Sequence, residues 1–222
     1  MPPRTLIPAC LAVAAALVCA APASARIVEV GSSPSTPAIA PTCPSDPCLA
    51  VSRTTGYQVK AGERRGLFTV PANGRIVAWS ITLGRPNGVQ REFFERNFGR
   101  ASAGISVLRP GDRLFSRVVA ASPIYQLSSY FGRTVQFPLA RSLRVKKGYV
   151  VALTVPTWAP ALTGLLDDQS SWRASRARGA CDETERQTAQ TRARSLTQYR
   201  CLYKARLTYT ATLVTTPRPN KN

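Results

Sequence analysis

Residues 67–84 read LFTVPANGRIVAWSITLG, two apolar runs joined by a cluster of turn formers. Leu67 to Val70 is a short apolar run, and Pro71-Ala72-Asn73-Gly74 is a cluster of turn formers. From Val77 onward the chain alternates, with Val77, Trp79, Ile81 and Leu83 on one face and Ala78, Ser80 and Thr82 on the other. Alternation with period two marks a half-buried strand, because successive side chains of an extended chain point to opposite faces. Turn chemistry between the two runs predicts a hairpin.

The same rhythm continues on both sides. AGISVLRPG at 103–111 and LFSRVVAAS at 114–122 flank a Pro-Gly-Asp turn and predict a second hairpin. RTVQFPL at 133–139 leads to Lys146-Lys147-Gly148, and Tyr149 to Val155 then runs apolar on both faces, as a central strand does. KARLTYTATLVTT at 204–216 sets Ala205, Leu207, Tyr209, Ala211 and Leu213 inward and Arg206, Thr208, Thr210 and Thr212 outward. About eight strands, short turns and no long amphipathic helix predict an all-β fold: an antiparallel β-sandwich, jelly-roll-like, with two long loops.

Those two loops break the alternation. GRPNGVQREFFERNFGRAS, 84–102, sets Phe93, Phe94 and Phe98 among Arg91, Arg96 and Arg100, which predicts a short helix or loop that tucks its aromatics onto the sandwich edge and leaves its arginines solvated. Pro156 to Arg200 is poor in apolar residues. Asp182, Glu183 and Glu185 followed by Arg192 and Arg194 suit a short exposed helix whose charges oppose its dipole.

The N-terminus reads as a secretory signal over 1–25. One Arg is followed by an apolar run from Leu6 to Ala21 and by Ala23-Ser24-Ala25. The run is shorter than the roughly 20 residues a bilayer core requires, Pro22 closes it, and Val18 before Cys19 does not fit a lipoprotein. The expectation is therefore an exported chain, secreted or envelope-associated, beginning at Arg26 with no transmembrane anchor. Residues 26–47 hold five Pro among Ser, Thr and Ala and predict an extended segment. The sandwich is expected over 48–216, and 217–222 as a disordered tail.

Outside the signal four cysteines remain, Cys43, Cys48, Cys181 and Cys201, an even number that reads as two disulfides in an oxidising compartment. Three pairings are possible; the local ones, Cys43 with Cys48 and Cys181 with Cys201, are favoured. Neither pair has zinc-ribbon spacing, and no metal or other cofactor is expected.

The 30 Lys and Arg against 11 Asp and Glu give a formal charge of +19, nearly all of it from Arg. Such an excess draws the chain toward anionic surfaces. For an exported protein those are acidic polysaccharides and cell-wall polymers, with no specific nucleic acid expected. The sequence contains no His, which excludes Ser-His-Asp and Cys-His nucleophiles and His-based metal sites. Carboxylate pairs of the glycosidase kind are limited to Glu92 with Glu95 and Asp167 with Asp168, which read more simply as a charge mosaic and a turn.

The run FTVPANGRIVAWSITLG, the later VLRPG and LRVKKGYVVALTVP resemble a loosely defined group of secreted β-sandwich proteins, chiefly from high-GC Gram-positive bacteria, over about 66–158. The resemblance implies fold and export and no catalytic residue. Tyr130 and Arg133, in YFGRTVQ, faintly resemble the Tyr-rich strand of jelly-roll alginate lyases, but that family's Gln-x-His and Arg-Thr-Glu-Leu strands have no counterpart.

The expectation for function is a non-catalytic module that binds an anionic envelope or extracellular polymer or serves a structural envelope role; the alternative is a polysaccharide lyase. The expected ligand contacts lie in SWRASRARGAC, 171–181, where Trp172, Arg173, Arg176 and Arg178 combine an aromatic face with guanidinium forks, joined by Trp158 on the same rim.

Overall fold

A computed structural model describes residues 24–32, 39–164, 169–183 and 188–217. Nearly all of the expected signal, Asp167, Asp168, Glu185 and residues 218–222 of the expected tail lie outside the described residues. In chain order the elements are β1 (Ile27–Val30), β2 (Val51–Ala61), β3 (Arg64–Arg65), β4 (Gly74–Thr82), α1 (Gly88–Phe98), β5 (Ser102–Pro110), β6 (Phe115–Ala121), β7 (Tyr125–Gln126), β8 (Thr134–Val145), β9 (Val150–Ala159), β10 (Leu162–Thr163), β11 (Ser170–Ala174), β12 (Leu196–Gln198), β13 (Cys201–Tyr203), β14 (Arg206–Leu207) and β15 (Tyr209–Thr215). Eight of these strands are five residues or longer, and they carry the architecture.

The fold is an all-β, antiparallel sandwich. One sheet runs β1-β15-β4-β8, and the larger runs β12-β6-β5-β9-β2-β11-β13. β9 sits between β5 and β2, so the strand that is apolar on both faces is central, with Val150 to Val155 all buried. On β15 the alternation holds residue by residue, with Tyr209, Ala211 and Leu213 buried. Within the smaller sheet Trp79 stacks on its cross-strand partner Phe137 at 4.9 Å, and between the sheets Phe68 stacks on Tyr209 at 4.3 Å.

The stretch 67–84 departs from the expected hairpin. β4 lies in the smaller sheet between β15 and β8. Residues 67–70 instead bond to the start of β9 in the larger one, Val70 N donating to Tyr149 O at 2.7 Å and Val151 N to Phe68 O at 3.0 Å. The Pro-Ala-Asn-Gly turn thus crosses between sheets. Asn73 fixes it there, its side chain accepting from Lys147 N at 2.9 Å and its carbonyl from Thr216 N at 2.8 Å. Gly74 is required by close approach, since a Cβ would come within 2.2 Å of the Val214 carbonyl oxygen.

Against β15 the register shifts between Ile76 and Ala78, where Val77 is the extra residue. The bulge resets the phase, so Ile76 faces the core in place of the expected Val77, while Trp79, Ile81 and Leu83 point inward as expected. The 103–122 hairpin forms as β5 and β6.

Both disulfides pair locally, Cys43 with Cys48 and Cys181 with Cys201. Among the described residues of the second excursion there is no helix. Residues 184–187, at the centre of the expected helix, lie outside the described residues; further on, Leu196 to Gln198 pair as β12 with β6, and Arg194 N donates to Val118 O at 2.8 Å. No helix among the described residues is long and apolar enough to cross a membrane.

Candidate functional site

Antiparallel register puts several termini at one end of the sandwich. Val51, the first residue of β2, pairs with Ala159 at the end of β9, and β11 ends where Ala174 pairs with Gly56. β4 ends and β5 begins at the residues that α1 joins. The segment 84–102 and the chain leaving β11 toward Cys181 therefore depart from the same end.

α1 forms because Asn87 and Gln90 make a complete capping box, the Asn87 side chain accepting from Gln90 N at 2.9 Å and the Gln90 side chain from Asn87 N at 3.0 Å. Gln90 Nε2 also donates to Pro44 O at 3.0 Å, which ties the helix to the Cys43–Cys48 loop. Phe94 stacks on Trp158 at 4.6 Å, and Trp158 Nε1 donates to Gly99 O at 2.8 Å. Phe98 lies under the Arg53 guanidinium at 5.0 Å, and Arg53 Nη2 donates to Asn97 O at 2.8 Å. The expected tucking of aromatics holds for Phe94 and Phe98. Phe93 is 57% exposed, beside an exposed Val89 one turn away.

Basic residues crowd this end. Leu83 N donates to Arg133 O, and Gly132 N to Gly84 O, so the loops bearing Arg85 and Arg133 lie side by side. Thr157 Oγ1 donates to Arg100 O at 2.7 Å, which brings in the third. Together with Arg53, Arg91 and Arg96 there are six arginines and, on α1, only Glu92 and Glu95. Both carboxylates are spent within the helix, Glu95 on Arg91 at 2.9 Å and Glu92 on Arg96. These are the two ion pairs among the described residues, and Arg53, Arg85, Arg100 and Arg133 belong to neither.

The residues chosen from sequence are placed differently from the expected open rim. Trp158 is 0% exposed, sandwiched by Phe94 and Phe131, because it closes the core at the end of β9. Trp172 is 4% exposed, since the parity of β11 turns Ser170, Trp172 and Ala174 inward; it packs beside Tyr203 and against Gly56. Neither indole offers a face to a ligand. Arg173 Nη1 donates to Arg200 O at 3.1 Å and Tyr199 O at 3.3 Å. Arg176 is 8% exposed and donates to Cys181 O at 3.2 Å and to the Tyr203 hydroxyl, with its guanidinium over the Tyr203 ring. These two forks tie the excursion to its base. Arg178 alone of the five is exposed.

Three of the basic residues at the α1 end follow a glycine, in Gly84-Arg85, Gly99-Arg100 and Gly132-Arg133, scattered over 50 positions of sequence. The Gly-Arg dipeptide recurs at these three but also at Gly74-Arg75, at the far end of β4, so only topology singles them out and brings them together. Tyr130 stands edge-on to Phe137 at 5.5 Å.

A buried hydroxyl row was not foreseen. Thr55 Oγ1 bonds Thr154 Oγ1 at 3.2 Å, which bonds Ser106 Oγ at 2.7 Å across β2, β9 and β5. Gln190 docks on the row, its N donating to Thr55 Oγ1 at 2.8 Å and its O accepting from Ser106 Oγ at 3.2 Å. Nearby, burial pushes the Tyr199 and Tyr57 hydroxyls above their usual range, with Arg173 partly opposing it at Tyr57. Among the described residues no group of three His, Cys, Asp or Glu could hold a metal ion. No family model matches the chain, and no match was found among curated proteins or solved structures.

Proposed function

We propose that the chain is an exported β-sandwich module that binds an anionic cell-envelope or extracellular polymer without transforming it, and that the α1 end is the contact. The observation that carries this is the surplus of arginines there that have no carboxylate partner among the described residues. A rigid frame holds them: α1 is capped at its N-terminus, pinned through Phe94 to Trp158, and tied to a disulfide loop. Guanidinium groups spaced over a fixed surface meet successive carboxylates or phosphates of a polymer, and exposed Phe93 offers a ring to a sugar face. Two disulfides suit an oxidising compartment outside the cytosol.

The test compares two triple variants of equal charge. Arg85→Gln/Arg100→Gln/Arg133→Gln removes cations from the α1 end; Arg109→Gln/Arg141→Gln/Arg144→Gln removes exposed cations elsewhere. On polygalacturonate and polyphosphate at low salt, the first should lose about tenfold in affinity, equivalent to about 1.4 kcal/mol, and the second clearly less. Equal losses with equal salt slopes would replace a site with a diffuse field. Release of unsaturated ends from polygalacturonate, lost on replacing Tyr130 or Arg133, would move the lyase alternative ahead.

A further inference from the structure

β1 pairs with β15 only from Ile27↔Val214 to Val30↔Ala211 and then turns away at Gly31, whose φ of +96° and 2.4 Å approach of a Cβ to Phe68 both demand glycine. Where β1 departs, a cleft of about 240 Å³ opens against the start of β15. That volume is below the roughly 300–1,000 Å³ of pockets for drug-sized ligands, and suits one ring.

Its walls are chemically divided. Ser80, Thr82, Thr134, Thr208 and Thr210 line it with hydroxyls from three neighbouring strands and the residue preceding one of them. Register explains the density: Thr210 pairs with Ser80 and Thr82 with Thr134, each on the face opposite the inward Tyr209, Trp79 and Ile81. Thr82 and Thr134 share a hydrogen bond of 2.8 Å, whereas the Ser80 and Thr210 side chains bond to no other described residue. Leu67 and Ile39 supply an apolar wall. In a chain of net charge +19 the described lining contains one charged group, Arg206.

We propose that this cleft binds a single sugar ring bearing a carboxylate, at a site separate from the polymer contact of the α1 end. Ring hydroxyls meet the Ser80 and Thr210 hydroxyls, the C–H face meets Leu67 and Ile39, and the carboxylate meets the Arg206 guanidinium. A guanidinium has five N–H donors, so it serves a ligand while keeping contacts within the protein. Partial burial strips water from the Arg206 guanidinium and lowers its pKa, and a carboxylate beside it offsets that loss of hydration.

The experiment titrates the isotope-labelled full chain with galacturonate and glucuronate, and with galactose and glucose as their uncharged counterparts. Amide shifts should saturate at Thr82, Thr134, Thr208 and Thr210, leave α1 unmoved, and give the uronates about tenfold tighter binding than the neutral sugars. Arg206→Gln should erase that difference, and Thr210→Val should weaken all four ligands. Thr134→Val, on the solvent side, is the variant that leaves folding intact and should also weaken binding. No saturation up to about 20 mM, equal binding of galactose and galacturonate, or shifts at α1 alone would each overturn the proposal. Loss of polymer binding in the α1 triple variant with uronate shifts retained would separate the two sites.

Discussion

Trp158 and Tyr199 are both fully buried, yet their polar atoms are treated in opposite ways. The Trp158 indole N–H is satisfied by Gly99 O, and its ring is held by Phe94 and Phe131. Trp158→Ala should cost about 3–5 kcal/mol in chemical denaturation. Trp158→Phe keeps most of the stack and loses one hydrogen bond whose acceptor, on exposed Gly99, water can satisfy, at about 0.5–1.5 kcal/mol. The Tyr199 hydroxyl has no hydrogen-bond partner among the described residues, so Tyr199→Phe should fall within about 1 kcal/mol of the parent or above it. Tyr57, Tyr199 and Tyr209 all have hydroxyls pushed above the usual value of 10.0 by burial. In the unfolded chain they ionise near that value while the folded chain keeps their protons. Stability is thus complete below pH 10 and falls above it, by about 1.4 kcal/mol per pH unit per tyrosine until the folded hydroxyls titrate, which denaturation at graded alkaline pH measures. Sequence gave different help at the two tryptophans of the expected rim. Ser170, Trp172 and Ala174 alternate with Ser171 and Arg173, so the inward turn of Trp172 was legible. Trp158 ends a strand that is buried on both faces, where parity carries no information.

Strands were readable wherever one face is wet, as in β15, and the central place of β9 followed from its having no polar face. Pairing was less readable. A Pro-Ala-Asn-Gly turn reverses a chain equally well within a sheet or between two, and the choice here rests on Asn73 and Gly74 meeting residues far off in sequence. From Gln190 onward the second excursion follows the sheet: pairing with β6 and docking on the Thr55–Thr154–Ser106 row satisfy backbone groups, which charge order does not. What holds that excursion is the Cys181–Cys201 bond, with Cys201 paired to Ala174 at its base. It closes a loop of sequence separation 20, worth roughly 3 kcal/mol in the chain-entropy model. Cys181→Ser/Cys201→Ser should lose about that much in denaturation, and hydrogen exchange should show the loss first at Gln190 and at 196–203, while β4 and β15 keep their protection.

Net charge was fully legible from composition, but its arrangement was not, because Arg85, Arg100 and Arg133 are brought together by loops from three separate parts of the chain. At the scale of the whole molecule that charge opposes folding as well as attracting a polymer. Thirty cations face eleven carboxylates, and the ion pairs formed between two described residues both lie on α1, with partners four residues apart. Pairs of that kind are worth about 0.3–0.5 kcal/mol and are screened by salt, so they offset little of the repulsion. Beyond them, basic residues adjoin one another across strands, as Arg75 does Arg144 and Arg109 does Arg117. Folding compresses such neighbours to within a Debye length, while the expanded chain keeps them apart. Raising sodium chloride from low concentration to about 0.5 M, where the screening length falls below roughly 5 Å, should therefore raise the melting temperature. A relief of about 1 kcal/mol corresponds to roughly 2–4 °C for a chain of this size. The Arg109→Gln/Arg141→Gln/Arg144→Gln variant provides the internal check: with three repelling cations removed, its melting temperature at low salt should exceed the parent's and its dependence on salt should be shallower. A parent that melts lower as salt rises would mean that attractive pairs outweigh repulsion, and the surplus at the α1 end would then need partners of its own within the fold.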